Sequence, residues 1–360
     1  MKKIILILAV LIALAACKKS PVTPIIPPSG GTNVYIGGFE NKVARYWKNG
    51  TAVVLADPLL NTAINAIVVA GNDVYAGGYE INNDANQAKV AKYWKNGTGV
   101  VLKDPANGVD APEIFAMAVA GNDVYAAGQE RNATGIFIAK YWKNGTPVSL
   151  TGKSDSSRDA VINGIAVVGA DVYCAGYETI LRKDGALITG VLVAKYWKNG
   201  VDIPLGSTIG LVTTSANSIA VVGSDIYIAG YGRGGAYIRQ TAWYWKNGAR
   251  VILPTETSFE SAANAVTVAG SDLYVAGYET IGNKKAAKYW KNGTRVKLTD
   301  GLSDAVAYSI AVSSGDVYVC GYEYNNTSYN PVAKYWKNGT AFTLSDSLKL
   351  SYATSIVVTK

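Results

Sequence analysis

An all-β chain closed into a ring, a seven-bladed β-propeller of four-stranded antiparallel blades, is the fold class that three observations in the sequence predict. The pentapeptide Tyr-Trp-Lys-Asn-Gly occurs seven times, beginning at Tyr46, Tyr93, Tyr141, Tyr196, Tyr244, Tyr289 and Tyr335. Its copies stand 45 to 55 residues apart, the length of one small sheet in a modular array. The apolar runs between copies are strand-like and apolar on both faces, so both faces must be covered. Packing small sheets face to face around a ring does this and leaves no long open edge.

The chain opens with a segment outside that array. Lys2 and Lys3 precede the apolar stretch from Ile4 to Leu14, too short for a stable bilayer span. Leu14-Ala15-Ala16-Cys17 follows, and this resembles the lipobox of bacterial lipoproteins. The resemblance implies a signal peptide over 1–16, cleavage after Ala16, and a lipid on Cys17 that makes the membrane a partner. A plain secretory signal with an incidental cysteine is the other reading. Lys18, standing where that family uses Asp for inner-membrane retention, implies the outer membrane of the cell envelope, with the periplasmic or surface face left open. Residues 17–31 then form the lipidated cysteine and a tether in which Pro21, Pro24, Pro27 and Pro28 forbid a helix. At about 3.1 Å per residue it reaches on the order of 40 Å. The propeller occupies 32–360.

Each repeat divides into four strands, a to d. Between Ala63 and Leu102, Ile64 to Ala70 is a short apolar run, Gly71-Asn72-Asp73 a turn, and Val74 to Glu80 a second strand. Val90 to Trp94 is the third, Asn96-Gly97 a type I′ hairpin turn whose two central residues need positive φ, and Thr98 to Leu102 the fourth. Small residues in strand a suit the crowded axis, and the Tyr-Trp pair of strand c suits the wider gap between blades. Asn33 to Glu40 is a strand b with no strand a before it, and Thr354 to Val358 a strand a with nothing after it. The C-terminal strand therefore closes the first blade. Strands b ending in Gly37-Gly38 or Gly77-Gly78, followed by an aromatic strand c, resemble the kelch repeat, although most units carry Ala-Gly. That resemblance implies a propeller; it carries no single function, since kelch-like propellers bind many partners and catalyse a few reactions.

Composition removes several classes of function. The chain has no histidine, which excludes His-based triads and His metal sites. Its formal charge is +8, about +6 without Lys2 and Lys3, and Lys and Arg are spread through every repeat, so no nucleic-acid partner is expected. No cofactor or metal is implied; a calcium site among the d–a acids has no supporting ligand spacing. Cys174 and Cys320 fall in equivalent strands three units apart and read as small buried residues. A monomer is expected.

The repeated polar residues read as structural. Glu ends strand b in six units (Glu40, Glu80, Glu130, Glu178, Glu279, Glu323), and Arg45, Lys92, Lys140, Lys195, Lys288 and Lys334 open strand c. The fifth unit lacks both, with Gly232 and Trp243 in their places, so the two residues are expected to pair across the hairpin. A ring of carboxylates for metal or acid–base work is the alternative. The Lys of each Lys-Asn-Gly turn and the Asp of each a–b turn are expected to form an outer basic and an inner acidic ring at one end.

The opposite end carries the b–c and d–a loops, which differ from unit to unit, and variable loops on a rigid scaffold are where binding resides. Candidate ligand-binding residues are Arg233, Tyr237, Arg239 and Trp243 in the fifth unit and Tyr324, Asn326 and Tyr329 in the seventh. Packing of Trp243 in the space left by the missing ion pair is the competing reading. The d–a acids Asp57, Asp104, Asp110, Glu113, Asp155, Asp159, Glu256, Glu260, Asp300 and Asp304 lie nearer the axis. Two function classes follow. One is a membrane-anchored, non-catalytic binding or scaffold lipoprotein that recognises a protein or glycan through the variable loops. The other is a carboxylate-dependent carbohydrate-active enzyme, which needs two acids about 5–10 Å apart.

Overall fold

The computed structural model describes residues 31–82, 88–102, 111–151, 158–184, 187–205, 213–234, 237–256 and 259–360. The leader, Cys17 and the tether lie outside them, as do Asp104, Asp110 and Asp155.

Seven four-stranded antiparallel sheets form the predicted propeller, and no helix occurs among the described residues. Blade 2 shows the unit: strand a is Asn61–Ala70, b is Asp73–Ile81, c is Lys89–Lys95 and d is Thr98–Leu102. The last strand, Ser351–Thr359, pairs with Asn33–Glu40 and supplies strand a of blade 1, so both chain ends close the same sheet.

The pentapeptide locks each blade at one end. Its Asn residues take φ of 48° to 51° and its Gly residues 79° to 87°, as the I′ turn requires. In blade 2 the Asn96 Oδ1 accepts the Val74 N–H at 2.8 Å, while its Nδ2 donates to Asp73 at 2.7 Å. Lys95 reaches the other Asp73 oxygen at 2.8 Å. Blades 3 to 7 repeat this ion pair at 2.7 to 2.9 Å. Lysines and aspartates expected as two separate rings are therefore joined pairwise into one belt. The reason is local: hydrogen bonding pulls the c–d turn of each blade onto its own a–b turn. In blade 1 Asn33 replaces the Asp, and Asn49 donates to it at 3.0 Å.

Tyr and Trp of the motif point to opposite faces of the blade, as neighbours in a strand must. All seven motif tryptophans are almost wholly buried. Trp94 packs against Ala44 and Leu55 of blade 1, and Trp142 against Ala91 and Leu102 of blade 2. The same wedge recurs around the ring, with Trp47 of blade 1 against Ala333 and Leu344 of blade 7.

The six Glu–Lys/Arg pairs all form, with Glu40–Arg45 at 3.1 Å and Glu80–Lys92 at 2.7 Å. They are diagonal: Lys92 stands opposite Gly78, two residues before Glu80. Several are also deeply buried, Lys140, Lys288 and Glu279 completely so. Removing one partner of such a buried pair is costlier than breaking an exposed one, because it leaves a charge in a poorly solvated site. Long intervals between Glu and Tyr-Trp also differ from expectation. In blades 4 and 5 they extend the b–c hairpin, with Thr179 to Asp184 paired to Leu187 to Leu192 and Gly234 paired to Tyr237.

Candidate ligand funnel

Strand a of every blade carries a β-bulge at one position, occupied by Thr354, Asn65, Phe115, Asn163, Asn217, Asn264 and Tyr308 in blades 1 to 7. A bulge re-aims the extra side chain, and here all seven bulged residues line one cavity of about 660 Å³ around the axis. The bulge also presses strand a onto strand b. A Cβ at Gly78 would lie 1.9 Å from the Ala63 carbonyl oxygen, which is why that strand-b position is glycine in all seven blades.

Four of the asparagines use their amide N–H to stitch blades together. Asn65 donates to the Ile114 carbonyl of blade 3, Asn163 to Ala216 of blade 5, Asn217 to Ala263 of blade 6 and Asn264 to Ala307 of blade 7, each at 2.9 Å. Thr354 does the same with its hydroxyl, donating to Ile64 of blade 2 at 2.7 Å. A carbonyl can only accept, so each amide nitrogen must face the neighbouring blade. The Asn217 oxygen accepts from Ser215 at 2.8 Å. Those of Asn65, Asn163 and Asn264 have no hydrogen-bond partner among the described residues.

The remaining lining comes from Phe39, Tyr177 and Tyr231, each immediately before the strand-b Glu position, together with Ser215 and Tyr352. These lie toward the strand ends that carry the variable loops. An aromatic cluster backs one side: Tyr322 contacts Tyr352 at 5.0 Å, Tyr308 at 5.7 Å and Tyr324 at 5.7 Å between ring centres, and Phe39 meets Tyr352 at 5.1 Å. Burial pushes the Tyr278 phenol up to about 12, and Tyr308 and Tyr322 higher still. These hydroxyls therefore keep their protons at neutral pH and can donate. Among the described residues none that lines the cavity is acidic or basic.

The residues singled out in the sequence sit elsewhere. Trp243 is fully buried, edge-on to Trp245 at 5.7 Å, and fills the space over Gly232 where other blades hold the ion pair. Arg233 and Arg239 are exposed on the fifth hairpin, Arg239 over the Phe259 ring at 5.0 Å. The backbone of Tyr237 pairs with Gly234. Asn326 and Tyr329 are exposed at the tip of the seventh b–c loop, Tyr329 by 78%. Tyr324 alone reaches the funnel's aromatic cluster. Of the described side chains in this set, none lines the cavity.

Six of the described d–a acids make structural contacts, while Glu260 is exposed. Glu113 pairs with Lys89 at 2.7 Å, Glu256 with Arg295 at 2.9 Å and Lys297 at 3.0 Å, and Asp304 with Lys284 at 3.3 Å. Asp57 and Asp300 cap the N–H groups of Leu59 and Leu302, and Asp159 accepts from Phe137. Among the described residues no group of three or more acids or cysteines is placed to hold a metal ion. Cys174 and Cys320 are buried and unbridged, and burial pushes both thiols up.

No protein-family model and no curated protein matches the chain. Among solved structures it is similar to the β-propeller domain of the Trilobed protease from Pyrococcus furiosus, with a TM-score of 0.50 and 9% identity over 88% of this chain and 95% of that one. It is similar also to an acylaminoacyl peptidase from Pyrococcus horikoshii, with a TM-score of 0.48 and 10% identity over 89% of this chain and 52% of that one, so it spans about half of that protein. At such identity the first likeness shows the propeller fold and nothing of the chemistry. The Trilobed domain has an open velcro, whereas here the terminal strands pair along their whole length.

The funnel is hard to read from the sequence because its residues sit inside apolar strands. Two signals were available: Asn at the same place in four strands a, and an aromatic before the strand-b Glu position in every unit but the third, where Gln129 stands.

Proposed function

We propose that the protein is a lipid-anchored, non-catalytic binding protein of the bacterial cell envelope, held by Cys17 and engaging a protein or glycan at the variable end of its propeller. The observation that carries this reading is the contrast between the two ends. One end is tied down blade by blade through Asp–Lys and Asp–Asn contacts that repeat almost without change. Toward the other, neutral aromatic and amide side chains line a cavity of about 660 Å³, within the range of small-molecule sites. Among the described residues that lining holds no acid or base, which favours binding over catalysis.

Photo-crosslinking of the full chain in a bacterial envelope tests the reading. A crosslinking residue replacing Tyr329, at the variable end, is expected to capture a partner that one replacing Val201, beside the uniform turns, does not. Equal capture from both ends contradicts the proposal. Replacing Cys17 by Ala should also release the protein from the membrane fraction, and unchanged fractionation removes the lipid anchor from it.

A further inference from the structure

We infer that the central funnel is a site for an uncharged oligosaccharide; this rests on the binding-protein reading and gives its ligand a chemical class. Charge argues first. The chain carries +8 overall, yet among the described residues no side chain lining the funnel is charged, the carboxylate behind Asn65, that of Glu113, being already paired with Lys89. An anionic or cationic ligand buried there would lose its hydration without gaining a counter-charge.

The amide oxygens argue next. Those of Asn65, Asn163 and Asn264, in blades 2, 4 and 6, face away from the inter-blade carbonyls that fix their nitrogens. They are acceptors held in place before any ligand arrives, and each needs a donor. A hydrocarbon or acyl chain would leave all three unpaired. A peptide presents its N–H donors in a line along one backbone, whereas these acceptors stand around a ring. A polyhydroxylated ligand carries donors on every side.

The aromatic faces complete the match. Phe39, Phe115, Tyr177, Tyr231, Tyr308 and Tyr352 give apolar platforms beside the amides, and the tyrosines add hydroxyls that stay protonated. A sugar ring offers an apolar C–H face bordered by hydroxyl groups, so it satisfies platforms and acceptors together.

Calorimetric titration of the full chain with cellotetraose, maltotetraose, mannotetraose and N-acetylchitotetraose is the test, with tetragalacturonate as the anionic control. Saturable binding of at least one neutral tetrasaccharide, and none of tetragalacturonate, is expected. Tyr177→Ala and Tyr352→Ala should each weaken that binding about tenfold or more, and Val201→Ala, exposed at the uniform end, should leave it unchanged. Tyr177→Phe keeps the ring and removes one lining hydroxyl; it should weaken binding without lowering the melting temperature. Absence of binding to all four neutral sugars overturns the inference, as does binding that survives the Tyr177 and Tyr352 changes. If the sugars fail while crosslinking at position 329 still captures a partner, the binding-protein reading stands without its carbohydrate ligand; if both fail, both fall.

Discussion

At the scale of single residues, the fifth blade is an internal control for the others. Where six blades hold a Glu–Lys or Glu–Arg pair, Gly232 and Trp243 fill the same volume with an indole. The two solutions are alternatives because a buried charge without its partner is costly, while a packed apolar group is not. Lys288→Met, which removes the ammonium beside the fully buried Glu279, should lower stability by about 3–5 kcal/mol in denaturant unfolding. Glu279→Gly together with Lys288→Trp, copying blade 5, should recover most of that loss. The joint loss of both charges in one unit made this pairing legible in the sequence. Burial was not legible, because it depends on which neighbouring blade covers each pair. The turn aspartates contribute to the protein's acid sensitivity. Hydrogen bonds from Lys95 and Asn96 hold the Asp73 carboxyl below its ordinary range, and five equivalent aspartates behave alike. An unfolded Asp binds its proton first, at about 3.9. The belt's contribution is therefore complete above that value and is lost as pH falls through the lower folded values. Melting temperature should fall steeply below about pH 4, and replacing Asp73, Asp171 and Asp272 together by Asn should flatten that fall.

At the scale of elements, the Asn-Gly turns and the strand order could be read directly, because positive φ at two successive positions leaves few residue choices. Gly97→Ala places a Cβ at φ 87° and should cost about 1–2 kcal/mol, measured by chemical unfolding. The bulges could not be read in the same way. Asn65 sits in the run Ile64-Asn65-Ala66-Ile67, where a polar residue among apolar ones is equally consistent with a solvent-facing position in a simple strand. Only the register shift between Ile64 and Ala66 turns it toward the axis. The same limitation hid the hairpin extensions of blades 4 and 5, whose residues read as loops by composition but continue the sheet by hydrogen bonding.

At the scale of the molecule, the ring is held by its own ends. Ser351–Thr359 pairs along the whole of Asn33–Glu40, and Thr354 also bonds to Ile64 of the next blade. Truncating residues 351–360 opens blade 1 and removes one inter-blade seam, so the melting temperature should drop far more than for a surface trim. An unchanged melting temperature would remove closure from the description. The ring then divides its work: one end holds the blades, and the other surrounds the funnel. A thermal melt of two variants, with and without the neutral tetrasaccharide that the wild type binds, decides this division. Asp171→Asn, at the uniform end, should lower the melting temperature yet keep the ligand-induced rise, since a ligand bound only by the folded state stabilises it by mass action. Tyr352→Ala, in the funnel, should lose that rise. A rise lost in Asp171→Asn and kept in Tyr352→Ala would contradict it.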